Sequence, residues 1–341
     1  RNDTPMSDAV TLSLTQAQDL LTRAFTAGGV AQDAARATAA ALVAAEADGQ
    51  VGHGFSRVAD YIAQAQSHKV NPVATARLTT PRPAQIDVDA DQGFAYPALE
   101  LGVRVAIAKA QEMGICSLSV KNSHHCGSLS VQVEKIAQAG LISIMVANTP
   151  KAIAPFGGAE PLFGTNPIAF AAPRSKGSPL VIDMSLSVVA RGKVMNAAKL
   201  GKPIPTGWAL DAQGQDTTDP DAALAGSMTA IGGAKGTALA LIVEVLSALV
   251  TGANTSTEAS SFFSADGPPP GVGQFLILLR PTDDAGRFAD RLEALLTQIQ
   301  AQEGTRIPGA KRFAMRAASE EHGLSVPRHY IDTIHKIIEE S

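Results

Sequence analysis

The spacing of two apolar segments near the middle of the chain most limits how it can fold. Residues 167–173, PIAFAAP, and 179–185, PLVIDMS, both have the composition of buried strands, and only residues 174–178 separate them. Parallel neighbours in a sheet need a crossover connection of a dozen or more residues, whereas antiparallel neighbours need only a short turn. The spacing therefore predicts that these two strands pair antiparallel.

Strand and helix patterns alternate on both sides of this pair. ICSLSV (115–120) predicts a strand, SVQVEKIAQAG (130–140) a helix that ends at Gly140, and LISIMVAN (141–148) another strand. Thr15 with Gln18 fits a capping box that opens a helix running through Phe25. The same patterns predict strands at 84–90 and 273–279 and helices at 98–114, near 187–200, at 287–300 and at 328–340. The fold class predicted is α/β with α+β character.

Composition narrows the class of protein further. The 341 residues are enough for two domains at about 150 residues each. A net charge of −4, without any basic run, argues against a nucleic-acid partner. The most apolar stretch, 237–250, is short for a membrane span and carries Glu244, which predicts a buried helix and no membrane partner. Residues 260–273 are the most linker-like and predict a mobile surface loop.

Cysteine content and the start of the chain bear on compartment. Cys116 and Cys126 are the only cysteines, and no CxxC pair occurs, which fits a reducing cytoplasm. Met6 is the predicted natural start, with the residues before it an addition, and no signal peptide follows it. The predicted location is therefore cytoplasmic.

The segment KNSHHCGSLS (121–130) is the first candidate for chemistry. Adjacent strand residues point to opposite faces, so His124 and His125 cannot both reach one metal ion, and Cys126 has no cysteine nearby. We therefore expect no metal. Two interpretations remain open: Asn122, Ser123 and His124 cap the following helix, or a histidine at a strand end beside a helix N-terminus donates a proton.

Four further segments could bind a ligand or merely form turns. In GQVGHGFSRVADY (49–61), His53 suits proton transfer and Arg57 suits a carboxylate, or the segment is a Gly-rich turn. Thr165 lies in a loop with two glycine clusters, Lys235 opens an apolar helix, and RIPGAKR (306–312) could reach nucleotide phosphates or be solvated. The chain has no GxGxxG after a strand, no GxxxxGK[ST], no GxSxG and no HExxH. The usual dinucleotide fingerprint is therefore absent.

Taken in order, these segments resemble the malate/L-lactate dehydrogenase-type oxidoreductases, which lack the usual Rossmann fold. The resemblance runs from about Leu12 to Pro327 and is carried by GHGFSR, NSHHCG, ANT with APFGG, LFGTNPIAFAAP, VIDMSLSVVARGK, TTDP, GGAKG and a late PG. It implies a homodimeric, NAD(P)-dependent enzyme acting on small 2-oxo, 2-imino or 2-hydroxy acids. It also implies a non-Rossmann cofactor domain on a mostly antiparallel sheet, plus a helical domain formed by both ends of the chain.

The resemblance also implies roles for particular residues. His53, His125 and Asp183 would be catalytic, with a histidine donating the proton and Asp183 orienting a histidine, while Arg57 and Thr165 would hold the substrate carboxylate. The cofactor would be held by His125, Cys126, Gly127, Ser128, Leu129, Thr149, Asp183, Met184, Ser185, Lys235, Arg306, Gly309 and Arg312. Gly52 stands where the family usually has a serine, so any hydroxyl relay through that serine is absent.

The motif variants favour one branch of the family. GHGFSR and NTPKAIAPFGG look most like enzymes that reduce Δ1-piperideine-2-carboxylate to L-pipecolate and Δ1-pyrroline-2-carboxylate to L-proline, with NADPH, or NADH as an alternative. The competing expectation is an NAD-dependent 2-hydroxy acid dehydrogenase acting on malate, lactate, sulfolactate or ureidoglycolate, and a more remote one is a non-catalytic cofactor-binding protein. The expected domains are 6–125 with 290–341 for substrate and dimerisation, and 126–289 for NAD(P).

Overall fold

The structure is a computed structural model that describes residues 8–282 and 286–341, so the predicted start at Met6 lies outside the described residues. The α-helices are α1 (Leu14–Ala27), α2 (Gln32–Ala47), α3 (Val58–Gln66), α4 (Ala95–Met113), α5 (Ser130–Gln138), α6 (Arg191–Lys199), α7 (Pro220–Ala225), α8 (Ala234–Glu244), α9 (Arg287–Gln300), α10 (Ala310–His322) and α11 (Arg328–Glu339). The strands are β1 (Ala9–Leu12), β2 (Arg77–Arg82), β3 (Gln85–Asp89), β4 (Ile115–Ser123), β5 (Ile142–Ala147), β6 (Ile168–Ala172), β7 (Leu180–Met184), β8 (Ala209–Leu210), β9 (Ser227–Met228), β10 (Val272–Leu279) and β11 (Leu324–Pro327).

A mixed sheet of seven strands forms the centre of the molecule, in the order β2-β3-β4-β10-β5-β6-β7. Every neighbouring pair in it is antiparallel except β3 with β4. The antiparallel pairing of β6 with β7, in a register that sets Ile168 opposite Met184, confirms the prediction made from their spacing. The mostly antiparallel α/β architecture is likewise confirmed.

The central sheet contains strands from both sides of the predicted domain boundary after residue 125, and the domain assignment stays a prediction. β2, β3 and β4 come from before it, and β10 inserts between β4 and β5, bonding to both. β10, which is far along the chain, therefore pairs between two strands that precede it by more than a hundred residues. Local periodicity cannot predict this arrangement. Helices α1, α2, α3 and α11, here called the helical layer, enclose a separate core around Leu21, Phe25, Leu42, Ile62 and Ile334.

The N-cap of helix α1 lies two residues before the predicted cap. Ser13, rather than Thr15, is the N-cap: its hydroxyl accepts from the Gln16 backbone N–H at 3.1 Å, and the Gln16 side chain accepts from the Ser13 N–H at 2.8 Å. Both serine and threonine are followed three residues later by glutamine, so the motif alone is ambiguous. Pairing of β1 with β11 ends at Leu12, which leaves Ser13 as the first residue free to cap.

The prediction of a helix at 237–250 is confirmed, but the prediction that this helix is buried is wrong. Helix α8 continues into a π-helical turn, Val245–Leu249, and buries only Gly236, Ala240, Val243 and Glu244 of its own length. Its outer side carries six partly exposed aliphatic side chains, here called the α8 apolar face: Leu239, Leu241, Ile242, Val245, Leu249 and Val250. Among the described residues, no helix has both the length and the apolar character needed to cross a membrane.

Candidate active site

A cavity of about 760 Å³ lies between the helical layer and the ends of the central strands. That volume is within the range of small-molecule and cofactor sites. Twelve of the residues predicted from the sequence line it: His53, Arg57, His125, Cys126, Gly127, Ser128, Leu129, Thr149, Thr165, Asp183, Met184 and Ser185. Segments far apart in the chain therefore meet in one place.

A tight turn after α2 places His53 at the cavity. Residues 51–53 form one turn of 3-10 helix, and the buried Glu46 carboxylate accepts from the Phe55 N–H at 2.9 Å. A Cβ at Gly54 would lie 1.9 Å from Glu46 Oε2, so only glycine allows this carboxylate to approach the backbone. Gly54 is thus required by the turn that presents His53.

Arg57 is fixed through its Nε atom, which leaves Nη1 and Nη2 available to a ligand. Its Nε donates to the Gly52 carbonyl at 2.7 Å, and its Cζ lies 4.6 Å from the Phe263 ring centroid, a cation–π contact. Within the described residues, no carboxylate forms an ion pair with it. A guanidinium fixed in this way can bind an incoming carboxylate with two parallel hydrogen bonds.

His125 lies two residues beyond the end of β4 and is oriented by a tyrosine. Tyr61 Oη lies 2.5 Å from His125 Nδ1 and 3.4 Å from Tyr96 Oη. We assign the Tyr61 proton to the shorter contact, which leaves Nε2 of the neutral ring as the N–H that faces a ligand. Gly127 has φ +63°, and a Cβ there would lie 2.7 Å from Tyr96 Oη, so glycine is needed beside this tyrosine pair.

Both cavity histidines are held neutral. Burial, and then the Arg57 charge, lowers the pKa of His53 to about 4. Burial also brings the pKa of His125 well below its usual range, with smaller contributions from His53, Arg57 and His124, and the His53 and His125 ring centroids lie 5.3 Å apart. At neutral pH the pair can accept a proton or donate a hydrogen bond, and it adds no positive charge to the site.

The residues on either side of His125, which are His124 and Cys126, are both buried and uncharged. His124 is 1% exposed, its Nε2 lies 3.0 Å from Gln64 Oε1, and burial lowers its pKa to about 3. Cys126 is a free, buried thiol whose pKa is raised to about 12, first by burial and then by Asp183, so it remains protonated. In the part of the chain that the structure describes, no cluster of histidine, cysteine and acidic side chains could hold a metal ion.

Asp183 is bound to the start of α5 rather than to a histidine. Its Oδ2 accepts from the Ser130 N–H at 2.8 Å and from Ser128 Oγ at 3.1 Å. A carboxylate at a helix N-terminus is favourably placed against the helix dipole, although burial still raises its pKa. In the hydrogen bonds of the described residues, Tyr61 orients His125 and Asp183 orders the segment 128–130.

Two threonines shape the opposite wall of the cavity. Thr149 Oγ1 accepts from the Thr165 N–H at 2.9 Å and lies 3.3 Å from Thr165 Oγ1. A Cβ at Gly164 would lie 2.3 Å from the Thr149 carbonyl, so the two loops can approach this closely only with glycine there. The two hydroxyls therefore present a polar surface to any bound molecule.

The predicted residues of the 306–312 segment line a second cavity, of about 320 Å³, on the other side of Asp183. Arg306, Gly309 and Arg312 contribute to it. Arg312 is about nine-tenths buried, its Nε and Nη1 have no hydrogen-bond partner among the described residues, and its ion pair with Asp48 is 3.6 Å long. Buried unpaired guanidinium nitrogens of this kind fit an anionic group. Lys235 is exposed and lines neither cavity in the described structure.

Several cavity residues were not anticipated from the sequence. They are Gln50, Lys151, Arg191, Met195, Phe262 and Phe263. Phe262 and Phe263 lie in the segment predicted to be a mobile linker, and the available signal was two adjacent aromatics in an otherwise polar loop. Tyr61 was also missed, because a tyrosine on an amphipathic helix looks like an ordinary core residue.

Comparisons with known proteins agree with this architecture. A family model described as malate/L-lactate dehydrogenase matches residues 12–335. The (2R)-3-sulfolactate dehydrogenase (NADP(+)) of Chromohalobacter salexigens is 47% identical over 95% of this chain and 96% of that protein. The Δ1-pyrroline-2-carboxylate/Δ1-piperideine-2-carboxylate reductase of Pseudomonas putida is 37% identical over 97% and 98%. The crystal structure of Δ1-piperideine-2-carboxylate reductase from Pseudomonas syringae superposes with a TM-score of 0.91 at 36% identity, covering 96% of this chain and 99% of that one.

Proposed function

Because the chain belongs to the malate/L-lactate dehydrogenase family of oxidoreductases, we propose that it is an NADPH-dependent reductase of cyclic 2-imino acids. It reduces Δ1-piperideine-2-carboxylate to L-pipecolate and Δ1-pyrroline-2-carboxylate to L-proline. The observation that carries this proposal is the neutral pair His53 and His125, next to the Arg57 clamp and the Phe262–Phe263 wall. Three relatives at 36–39% identity are named Δ1-pyrroline-2-carboxylate reductases, and two of these names also include Δ1-piperideine-2-carboxylate.

The carboxylate of the substrate is bound by Arg57, with Thr165 as a second donor. Arg57 has no competing carboxylate among the described residues, and its Nε bond to Gly52 fixes the direction of the guanidinium. Fixing the carboxylate determines which face of C2 meets the hydride, and a bound nicotinamide supplies that hydride. Positioning of this kind contributes a large part of the rate in hydride transfer because the reacting atoms must approach to about 3–3.5 Å.

The protonation state of the histidines suits an imine better than a ketone. Reduction of a 2-oxo acid needs a proton for the developing alkoxide, and a histidine whose pKa is lowered to about 4, such as His53, is not in its acidic imidazolium form at neutral pH. A cyclic imine can enter already protonated, so its reduction does not require a proton from the site. The absence of a serine hydroxyl at Gly52 is tolerable for the same reason.

The cofactor would extend from the large cavity to the second one. His125 to Leu129, Thr149 and Asp183 to Ser185 line the large cavity, where the nicotinamide end would bind. Arg306, Gly309 and Arg312 would meet a phosphate of the adenosine end, and Arg312 has the unpaired nitrogens for it. This cationic second cavity supports NADPH over NADH. The role of Lys235 and the orienting role of Asp183 remain predictions.

A second candidate activity is the NADP-dependent oxidation of (2R)-3-sulfolactate. It is favoured by the 47% identity with the enzyme of that name. A substrate with both a carboxylate and a sulfonate needs two cationic contacts, and Lys151 and Arg191 line the same cavity as Arg57. Neutral histidines also suit this direction, because a base must accept the proton of the hydroxyl group.

Parallel assays of both chemistries test the proposal. NADPH consumption is followed with Δ1-piperideine-2-carboxylate, Δ1-pyrroline-2-carboxylate, 3-sulfopyruvate and pyruvate, then repeated with NADH, and NADP⁺ reduction is followed with (2R)-3-sulfolactate. We expect kcat/KM for the cyclic imines to exceed that for the oxo acids by at least about tenfold, or about 1.4 kcal/mol of transition-state stabilisation. The reverse order would replace the proposal with the second candidate, and NADPH binding without turnover would indicate a non-catalytic protein.

A homodimer in the cytoplasm completes the proposal. Two free buried cysteines fit a reducing compartment.

The α8 apolar face, with Ile242 at 52% and Leu249 at 61% exposed, supports the dimer. Its six side chains leave on the order of 500 Å² of apolar surface, as much as the largest patch of a typical monomer, and two copies would bury roughly 1,000 Å². Leu249→Glu should therefore shift sedimentation velocity towards the monomer, and an unchanged dimer would exclude this face.

A further inference from the structure

Lys69, which does not itself line the active-site cavity, binds the loop that carries two aromatic side chains of the cavity wall. Lys69 is 2% exposed, and its Nζ donates to the carbonyls of Ser261 at 2.7 Å, Ser264 at 2.8 Å and Asp266 at 2.9 Å. An ammonium has three N–H donors, and all three are used. Burying a charged group is costly unless it is fully hydrogen-bonded, so this arrangement commits the lysine to one conformation of segment 261–266.

The end of α3 holds the same segment at two more points. Gln64 Nε2 donates to the Phe262 carbonyl at 2.9 Å, while its Oε1 lies 3.0 Å from His124 Nε2. Ser67 Oγ donates to the Ala265 carbonyl at 2.9 Å. Segment 261–266, predicted from the sequence to be mobile, is therefore fastened to the helical layer by side chains that are about 190 to 200 residues away in the chain.

Segment 261–266 places the rings of Phe262 and Phe263 against the proposed functional groups of His125 and Arg57. The Phe262 ring centroid lies 4.9 Å from that of His125 and 5.3 Å from that of His124. The next ring, Phe263, carries the Arg57 guanidinium at 4.6 Å. One side of this loop therefore contacts both the imidazole and the carboxylate clamp, and a movement of the loop would displace both.

We propose that Lys69 is a positioning residue for the reaction, holding segment 261–266 closed so that Phe262 and Phe263 form an apolar wall for the saturated ring of the substrate. The identity of that ring rests on the proposed function, whereas the role of Lys69 in holding the wall does not. Apolar rings on this side exclude water from His125 and keep the guanidinium of Arg57 in a fixed plane. A substrate with a second anionic group would gain nothing from this wall.

Lys69→Met tests the inference because it keeps the length of the side chain and removes the three donors. We expect amide hydrogen exchange in 261–266 to rise at least about tenfold, since the opening of the segment becomes easier. The KM for Δ1-piperideine-2-carboxylate should rise about tenfold, while the dissociation constant for NADPH stays within about threefold. Lys69→Gln, whose amide keeps two donors, should lie between Lys69→Met and the wild type.

Val70→Ala is the matched control. Val70 is the next residue and is buried in the helical core, so its truncation destabilises the same region without removing the ammonium. Wild-type exchange and KM in Lys69→Met, or equal changes in Val70→Ala, would overturn the inference. If neither Lys69 variant folds, Phe263→Leu in the exposed loop decides, because an unchanged KM there would also overturn it.

The two proposals fail in different ways. If the wild-type protein does not reduce the cyclic imine, the proposed function fails, and the exchange of 261–266 in Lys69→Met still tests the clamp. If the imine is reduced but Lys69→Met behaves as wild type in both measurements, the function stands and the clamp is refuted.

Discussion

Replacing Tyr61 by phenylalanine removes the single hydroxyl that orients the proposed functional imidazole. The ring of Tyr61 is completely buried and packs against Phe94 with centroids 5.4 Å apart, and phenylalanine keeps that packing. What disappears is the 2.5 Å contact with His125 Nδ1 and the 3.4 Å contact with Tyr96. The substitution therefore removes two hydrogen-bond contacts and keeps the packing, and a Tyr96→Phe control removes only the contact between the two tyrosines.

The size of the effect follows from the cost of leaving a buried nitrogen unpaired. That cost is about 1–3 kcal/mol. Where the loss falls on the transition state it corresponds to about a 5- to 150-fold decrease in kcat/KM, at 1.36 kcal/mol per factor of ten. The loss of one net hydrogen bond, about 1 kcal/mol, should lower the melting temperature by only a few degrees in a chain of this size.

The assay compares kcat/KM for the preferred substrate, the NADPH dissociation constant and the melting temperature of Tyr61→Phe with those of Tyr96→Phe. The Tyr96 hydroxyl contacts Tyr61 and has no described bond to His125, so its removal should reduce kcat/KM by less than about threefold, under 1 kcal/mol. A Tyr61→Phe enzyme within twofold of wild type, or one no worse than Tyr96→Phe, would refute the orienting role.

Four further outcomes are expected. His125→Ala should lower turnover by at least about 100-fold with the fold intact, whereas His124→Ala should be much milder in turnover and act mainly on the melting temperature; near-wild-type turnover in His125→Ala would contradict the assignment. Arg57→Lys should raise the substrate KM by roughly tenfold or more, because a lysine cannot bind a carboxylate through two parallel bonds, and steady-state kinetics with NADPH held saturating would check it. Gly127→Ala should destabilise the protein by about 1–3 kcal/mol, since its φ of +63° is unfavourable for alanine and the new Cβ would lie 2.7 Å from Tyr96 Oη; denaturant unfolding measures this, and a neutral result would exclude the contact. Lowering the pH from 7 to 5 should reduce the free energy of unfolding, because the folded-state pKa of His124, about 3, lies below its unfolded value. The unfolded chain then binds more protons, so stability is lost as the pH falls from about 6.5, and His124 alone accounts for a loss on the order of 2 kcal/mol at pH 5. If a His124→Gln variant shows the same pH dependence of the unfolding free energy, other groups cause that dependence.

Local order in the chain was enough to predict much of the fold. The short spacing between β6 and β7 allowed only antiparallel pairing, and the predicted helix at 287–300 coincides with α9. Such features depend on residues a few positions apart, where periodicity and turn residues dominate. The capping box shows the limit of this reasoning, because Ser13 and Thr15 carry the same motif and only the end of β1 selects Ser13.

The sequence by itself determined which residue types meet in the cavity. The resemblance of the ordered motifs to a known family implied that His53, Arg57, His125 and Thr165 share one site, and the structure brings all four to one cavity. The contacts that make them functional come from long-range packing. Tyr61 reaches His125 from 64 positions away, and Lys69 reaches the aromatic loop from 192 positions away. Three features were decided only by the tertiary structure: the burial that holds the histidines neutral, the insertion of β10 between β4 and β5, and the exposure of the α8 apolar face. Each depends on which segments, distant in the chain, pack against one another and so exclude water.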